Sequence, residues 1–272
     1  MSKLPSLLVA PQPISDESSA SWFYRLCNLH QRSARDILSA MDITRMSDPD
    51  IDLTEEHVRI LIRGTQIPAT RVAPLAKTFV HIPRSARRLV LRHEAPDGTG
   101  TYAYCPQCLA EDEEPYLRIA WRVIHWEFCS THLVKMCTRC WKCAGYLRAQ
   151  RVASRTHATS LRFCAECNAD LGMAPREDVS ESCDVELALA TQKAYVAAYL
   201  RGYFLMPPVQ ERLSLDFLIW CHRRSIPLMG VATPQMNAMQ HALSQPERAR
   251  WMAQLYRRFV RHLKRHAENC KT

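Results

Sequence analysis

No stretch of this 272-residue chain approaches the ~18 consecutive apolar residues that a membrane-spanning helix needs. The apolar run from Leu7 to Ala10 is short and leads into Pro11 and Pro13, which does not fit the core of a secretory signal. Glycine is scarce, at seven residues, and no Gly-rich phosphate loop of the ATP-binding type occurs. The G-x-S-x-G nucleophile elbow is absent. The acids are scattered and do not form a set that would hold two metals for strand cleavage. These absences argue against a membrane protein, an ATPase or a hydrolase, and lead us to expect a cytoplasmic protein that is not an enzyme. Sixteen prolines with so few glycines do not make a disordered composition, and the length suits two or three small domains.

Charge is present and unevenly placed. The net charge is +9. Residues 246–272 hold eight Lys or Arg against Glu247 and Glu268, and they include Arg257, Arg258, Arg261, Lys264 and Arg265. A second cluster, Arg84, Arg87, Arg88 and Arg92, has no acid within it. Localised positive charge fits a polyanion, of which nucleic acid is the commonest, so these arginines and lysines are candidate contacts to nucleic acid or a partner. A solvated helix face is the competing reading for the tail.

Twelve cysteines in a chain of this kind favour metal over disulfides. Cys105-Pro-Gln-Cys108 is followed after twenty residues by Cys129-Ser-Thr-His132. Cys140-Trp-Lys-Cys143 is followed after twenty residues by Cys164-Ala-Glu-Cys167. Each C-x-x-(C/H) turn aims two soft donors at one point, and two turns complete the four-coordinate shell that zinc prefers. The expectation is two structural Zn2+ ions, one on three cysteines and a histidine and one on four cysteines. Cys137-Thr-Arg-Cys140 overlaps the second set and offers an alternative pairing. The residue after such a turn often needs positive φ, which Trp141 resists and Asn168 tolerates. Together with the equal spacing this favours Cys140 and Cys143, leaving Cys137 spare. Cys27, Cys183, Cys221 and Cys270 read as small apolar residues.

His125-Trp-Glu127 mimics the H-x-E of zinc deaminases. That chemistry needs a following P-C-x-x-C and an open metal position, whereas here Met136 precedes Cys137 and both four-ligand sets look closed.

The remaining pattern is mainly α with small β elements. Residues 1–100 read as an N-terminal helical, helix-turn-helix-like module. Its expected helices start after Asp16 or Ser18, after Ser33, at Thr54 and near Pro68, the last running to Phe79, with a turn at Asp48-Pro49-Asp50. Thr54 lacks the acid of a full capping box. Arg87 to Arg92 reads as a strand leading to a turn at Pro96-Asp97-Gly98. Residues 101–175 form the tandem zinc-ribbon or finger-like region. Residues 176–272 form a C-terminal helical module, with helices over Val185 to Tyr203, Leu215 to Arg223 and a basic last helix capped by Ser244. On that helix Met252, Leu255, Tyr256, Phe259 and Leu263 make one apolar stripe.

The residues between the ligands carry a resemblance. Tyr104-Cys105-Pro106-Gln107-Cys108-Leu109, Glu111-Asp112-Glu113, Tyr116-Leu117-Arg118, Trp121-Arg122 and the ligands to Cys143 are similar to the TniQ family of transposition proteins. Pro11, Pro13, Glu17-Ser18 and Ser21-Trp22-Phe23-Tyr24-Arg25-Leu26 resemble that family's opening. The likeness spans about residues 5 to 170, and Cys137 with the order Ala144-Gly145 departs from the family's usual C-P-x-C-G turn. The resemblance implies a non-enzymatic target-site-selection adaptor acting in a bacterial cytoplasm, at the nucleoid when at work. Its implied partners are a CRISPR effector such as Cascade with guide RNA or target DNA, an AAA+ regulator, a transposase complex and a second copy of the chain. A zinc-dependent, sequence-specific DNA-binding regulator without a CRISPR effector is the alternative.

Overall fold

The computed structural model describes residues 7, 9–43, 46–76, 78–96, 98–149, 160–181, 185–206, 211–224 and 245–269. Its described elements are mainly helices, with a two-stranded sheet, and they fall into two compact units, Met1–Ser182 and Cys183–Thr272. No described helix is long and apolar enough to cross a membrane.

The first unit opens with α1 (Ser19–Leu29), whose N-terminus is capped by the Ser18 hydroxyl accepting the Ser21 N–H. Trp22, Phe23 and Leu26 are buried, whereas Leu29 is exposed. Helix α2 (Ala34–Ala40) starts at a full capping box between Ser33 and Asp36. Asp48-Pro49-Asp50, expected as a turn, instead starts the single-turn helix α3 (Pro49–Asp52). Proline at its first position and an Asp48 cap both suit a helix start. Helix α4 (Glu55–Ile62) does have a reciprocal cap, because the His57 ring takes the place of the missing acid and accepts the Thr54 N–H.

The expected helix from Pro68 to Phe79 is shorter. Helix α5 (Ala69–Val72) gives way to a 3-10 turn over Ala73–Leu75, since Pro74 has no N–H to continue the α-ladder. Arg87 to Arg92 is not a strand. Helix α6 (Arg84–Val90) occupies most of it, because Pro83 sets the start, Ala86 and Val90 bury one face at i, i+4 spacing, and Arg87 and Arg88 suit its C-terminal end. Only Leu91 pairs as a β-bridge, with Val123. In the expected Pro96-Asp97-Gly98 turn, Asp97 lies outside the described residues. After α7 (Pro106–Glu111) and a 3-10 turn over Ile119–Arg122, the described residues to 181 run mostly as turns joined by single bridges.

The second unit holds α8 (Val185–Arg201), β1 (Tyr203–Met206), β2 (Glu211–Ser214), α9 (Leu215–Arg223) and α10 (Gln245–Asn269). The helix expected to reach Tyr203 stops at Arg201, where Gly202 takes φ 81° and turns the chain into a strand. Strands β1 and β2 pair antiparallel, with Tyr203 opposite Ser214 and Leu205 opposite Arg212. Phe204 and Leu213 bury the other face. The stripe on α10 is core: Met252, Leu255 and Phe259 are buried, and Phe259 packs against Phe217 and Trp220 of α9. Leu263 stays exposed, and Ser244 lies outside the described residues.

Candidate metal centres

Each donor turn is built by the backbone before any side chain is considered. The N–H groups of Cys129, Cys140 and Cys164 each donate to the carbonyl five residues on, at Val134, Gly145 and Ala169, all at 2.8 Å. The N–H four residues on returns to each cysteine's own carbonyl, from Leu133 at 3.0 Å, Ala144 at 2.9 Å and Asn168 at 3.0 Å. Those three residues take φ of 52°, 59° and 57°. The three turns are therefore one device, closing on a left-handed residue that points both donors the same way. The fourth turn differs. Cys105 accepts the Leu109 N–H at 3.2 Å, but Pro106 continues the chain into α7, which carries Cys108 one turn on.

These turns bring together Cys105, Cys108, Cys129 and His132 in one set and Cys140, Cys143, Cys164 and Cys167 in another. Within each set the donor atoms lie within 4.8 Å of one another. Cys108 and Cys129 sulfurs are 3.6 Å apart, and the pairs Cys140–Cys167 and Cys143–Cys164 are each 3.7 Å apart. A metal tetrahedron with ~2.3 Å metal–sulfur bonds has sulfur–sulfur edges of about 3.7 Å, so both sets fit one four-coordinate ion each. His132 turns Nδ1 to its three thiols, at 3.3 to 3.5 Å. Its Nε2–H donates to Glu111 Oε2 at 2.9 Å, which fixes the tautomer and ring. Glu111 lies three residues past Cys108, a spacing that is the sequence signal for this partner.

At the overlapping C-x-x-C, the backbone fits the turn from Cys140 to Cys143. Ala144, not Trp141, holds the positive φ. Cys137 belongs to neither set and pairs by both backbone hydrogen bonds with Tyr104, at 2.7 and 2.8 Å. Neither His125 nor Glu127 joins a donor set among the described residues. Cys27 and Cys221 are buried, and burial pushes both thiols up to about 12, so they stay protonated and inert. Cys183 and Cys270 lie outside the described residues.

The first set is anchored to the helices before it. Leu109 and Trp121 are buried, and Arg118 lies over the rings of Tyr116 and Trp121 at 4.4 and 4.8 Å while gripping both Asp112 oxygens. The Ser18 N–H donates to the Leu117 carbonyl at 2.9 Å, and the Leu117 N–H donates to Ser21 Oγ at 3.0 Å. Arg25 bridges Glu17 at 2.6 Å and Glu114 at 2.5 Å. Arg122 is fully buried, bonds Asp48, and donates to the carbonyls of Arg92 and Thr101 at 2.6 and 3.2 Å. Tyr102 donates to the buried Asp50, which also accepts the Ala20 N–H at 2.8 Å. The two motif stretches, far apart in sequence, are thus two sides of one packed contact.

The candidate basic contacts are not all alike. Arg84 and Arg88 are exposed on α6, and Arg87 is half-buried with its Nε on the Ile82 carbonyl. Arg92, which sequence grouped with them, is a structural residue: it is buried, with Glu94 and the carbonyls of Ile124 and Trp126 as partners. Arg257, Arg258 and Arg261 are exposed on α10, and the side chains of Lys264 and Arg265 lie outside the described ones.

Residues 8–136, just under half of the chain, match the model of the TniQ family. The match ends after the first donor set and covers the helices packed against it. Among curated proteins nothing matches.

Proposed function

The chain carries a TniQ-family domain over residues 8–136, and from that premise we propose that it is a non-enzymatic target-selection adaptor of a transposon. The family match, which contains the first donor set, carries this reading. The soft donors and tetrahedral edges of both sets favour Zn2+ in each. Bound there, zinc cross-links stretches of chain that have little regular structure and contributes folding free energy directly. The rigid surface so formed would meet a CRISPR effector such as Cascade with its guide RNA or target DNA. The AAA+ regulator, the transposase complex and a second copy of the chain are the other proposed partners. The exposed arginines of α6 and α10 support contact with a polyanion.

A pull-down of the native complex, paired with a targeted-insertion assay, tests this. Effector subunits or guide RNA in the pull-down, and insertion lost on Cys129→Ser while untargeted strand transfer persists, is the expected result. DNA bound by the chain alone with a steep salt dependence, and no transposition partner, would instead identify a DNA-binding regulator. Metal-free protein that still folds and directs insertion would overturn the role given to zinc.

A further inference from the structure

The C-terminal unit carries most of the net charge, with thirteen Lys or Arg against six Asp or Glu. Part of that charge is organised around an aromatic ring. Gly202, in its left-handed conformation, ends α8 and starts β1 within one residue, which sets Arg201 beside Tyr203. The antiparallel register then places Tyr203, Leu205, Arg212 and Ser214 on one face of the hairpin, away from buried Phe204 and Leu213. Arg201 lies 5.3 Å and Arg212 4.8 Å from the centre of the Tyr203 ring. Both arginines are exposed, and among the described residues no carboxylate pairs with either.

Two guanidiniums held on one tyrosine, with no carboxylate on either among the described residues, form a pre-set array. The ring limits their rotamer freedom, so less entropy is lost when their N–H edges bind phosphate. Their planes and the ring also give stacking faces for bases. A protein partner would need acidic residues to match this charge, whereas a polynucleotide supplies both phosphate and base.

We infer that the outer face of the β1–β2 hairpin binds single-stranded nucleic acid, with Arg201 and Arg212 on phosphates and Tyr203 supporting a stacked base. The inference rests on the C-terminal unit alone and does not depend on the transposition reading.

Anisotropy of the full-length, metal-loaded protein with a fluorescein-labelled 20-nucleotide DNA or RNA strand tests it. Tyr203→Ala is expected to weaken binding by about tenfold, and Tyr203→Phe to keep it. Arg201→Ala and Arg212→Ala are each expected to lower the salt slope of log affinity by about 0.7. Comparing the two strands shows which nucleic acid is preferred. Both arginines are exposed, so these two variants still decide the matter if Tyr203→Ala does not fold. Binding and slopes equal to wild type in all these variants would overturn the proposal. So would a loss seen only in captured protein partners, which would make the face a protein interface. If insertion stayed targeted while oligonucleotide binding was unchanged, the hairpin inference would fail and the adaptor reading would stand.

Discussion

Replacing Arg122 by methionine should be among the most damaging single changes away from the donor residues. Its guanidinium is fully buried and faces two carboxylates, Asp48, whose side chain is mostly buried, and Asp50, whose side chain is fully so. Methionine roughly keeps the volume but leaves both acids without this cation. Breaking a buried ion pair from one side costs about 3–5 kcal/mol, a large share of the ~5–15 kcal/mol that holds a domain folded. The pH dependence has a definite sign. Burial raises the pKa of both acids, Asp50 is raised further by Asp48, and Arg122 opposes the shift. An acid whose folded pKa lies above its unfolded value stabilises the fold at low pH and loses that contribution as pH rises through the folded pKa. Removing Arg122 raises both acids further, so the deficit should be largest near neutrality and shrink toward the carboxylate range. Urea unfolding of the metal-loaded protein, followed by tryptophan fluorescence at several pH values, measures it. Adding Asp48→Asn and Asp50→Asn should recover part of the loss non-additively. A loss under ~1 kcal/mol at neutral pH, or strict additivity, would refute the reasoning.

Other substitutions probe the sites more locally. Native mass spectrometry should find two metals per chain in Cys137→Ser and one in Cys143→Ser, because only Cys143 belongs to a donor set. Arg118→Ala removes the paired bonds to Asp112 and the stacking on Tyr116 and Trp121, and should cost about 1–3 kcal/mol in chemical unfolding. Gly100→Ala should destabilise by about 1–3 kcal/mol in the same assay, since its Cβ would collide with the Arg122 guanidinium, which is pinned on two carbonyls.

Much of the local structure was legible in sequence. Ser18 and Ser33 cap helices because a hydroxyl at that position satisfies a free N–H whatever surrounds it. The α10 stripe buries Met252, Leu255 and Phe259 because helical periodicity fixes which residues share a face. The errors came where a local pattern had two solutions. Arg87 to Arg92 had β-compatible residues, but burial of Ala86 and Val90 selected α6. The end of α8 carried no clear strand signal beyond Gly202, and the hairpin follows from pairing with residues 211–214. The equal charges of Arg84, Arg88 and Arg92 hid different fates, because burial depends on neighbours that arrive from residues 124 to 126.

By itself the sequence named the candidate donors and, through the equal spacing, favoured their grouping, since a two-residue gap sets the aim of a turn with no help from distant chain. It also carried the TniQ likeness through residues that lie close together in two separate stretches. Only the tertiary structure decided that those stretches meet. Arg122 finds Asp48 seventy-four residues away, Ser21 receives Leu117 across ninety-six, and Cys137 is turned from metal to a pairing with Tyr104. The reason is physical. Capping and ligand spacing are satisfied within a few residues, whereas a buried charge or an unpaired strand edge is satisfied by whichever part of the chain folds against it.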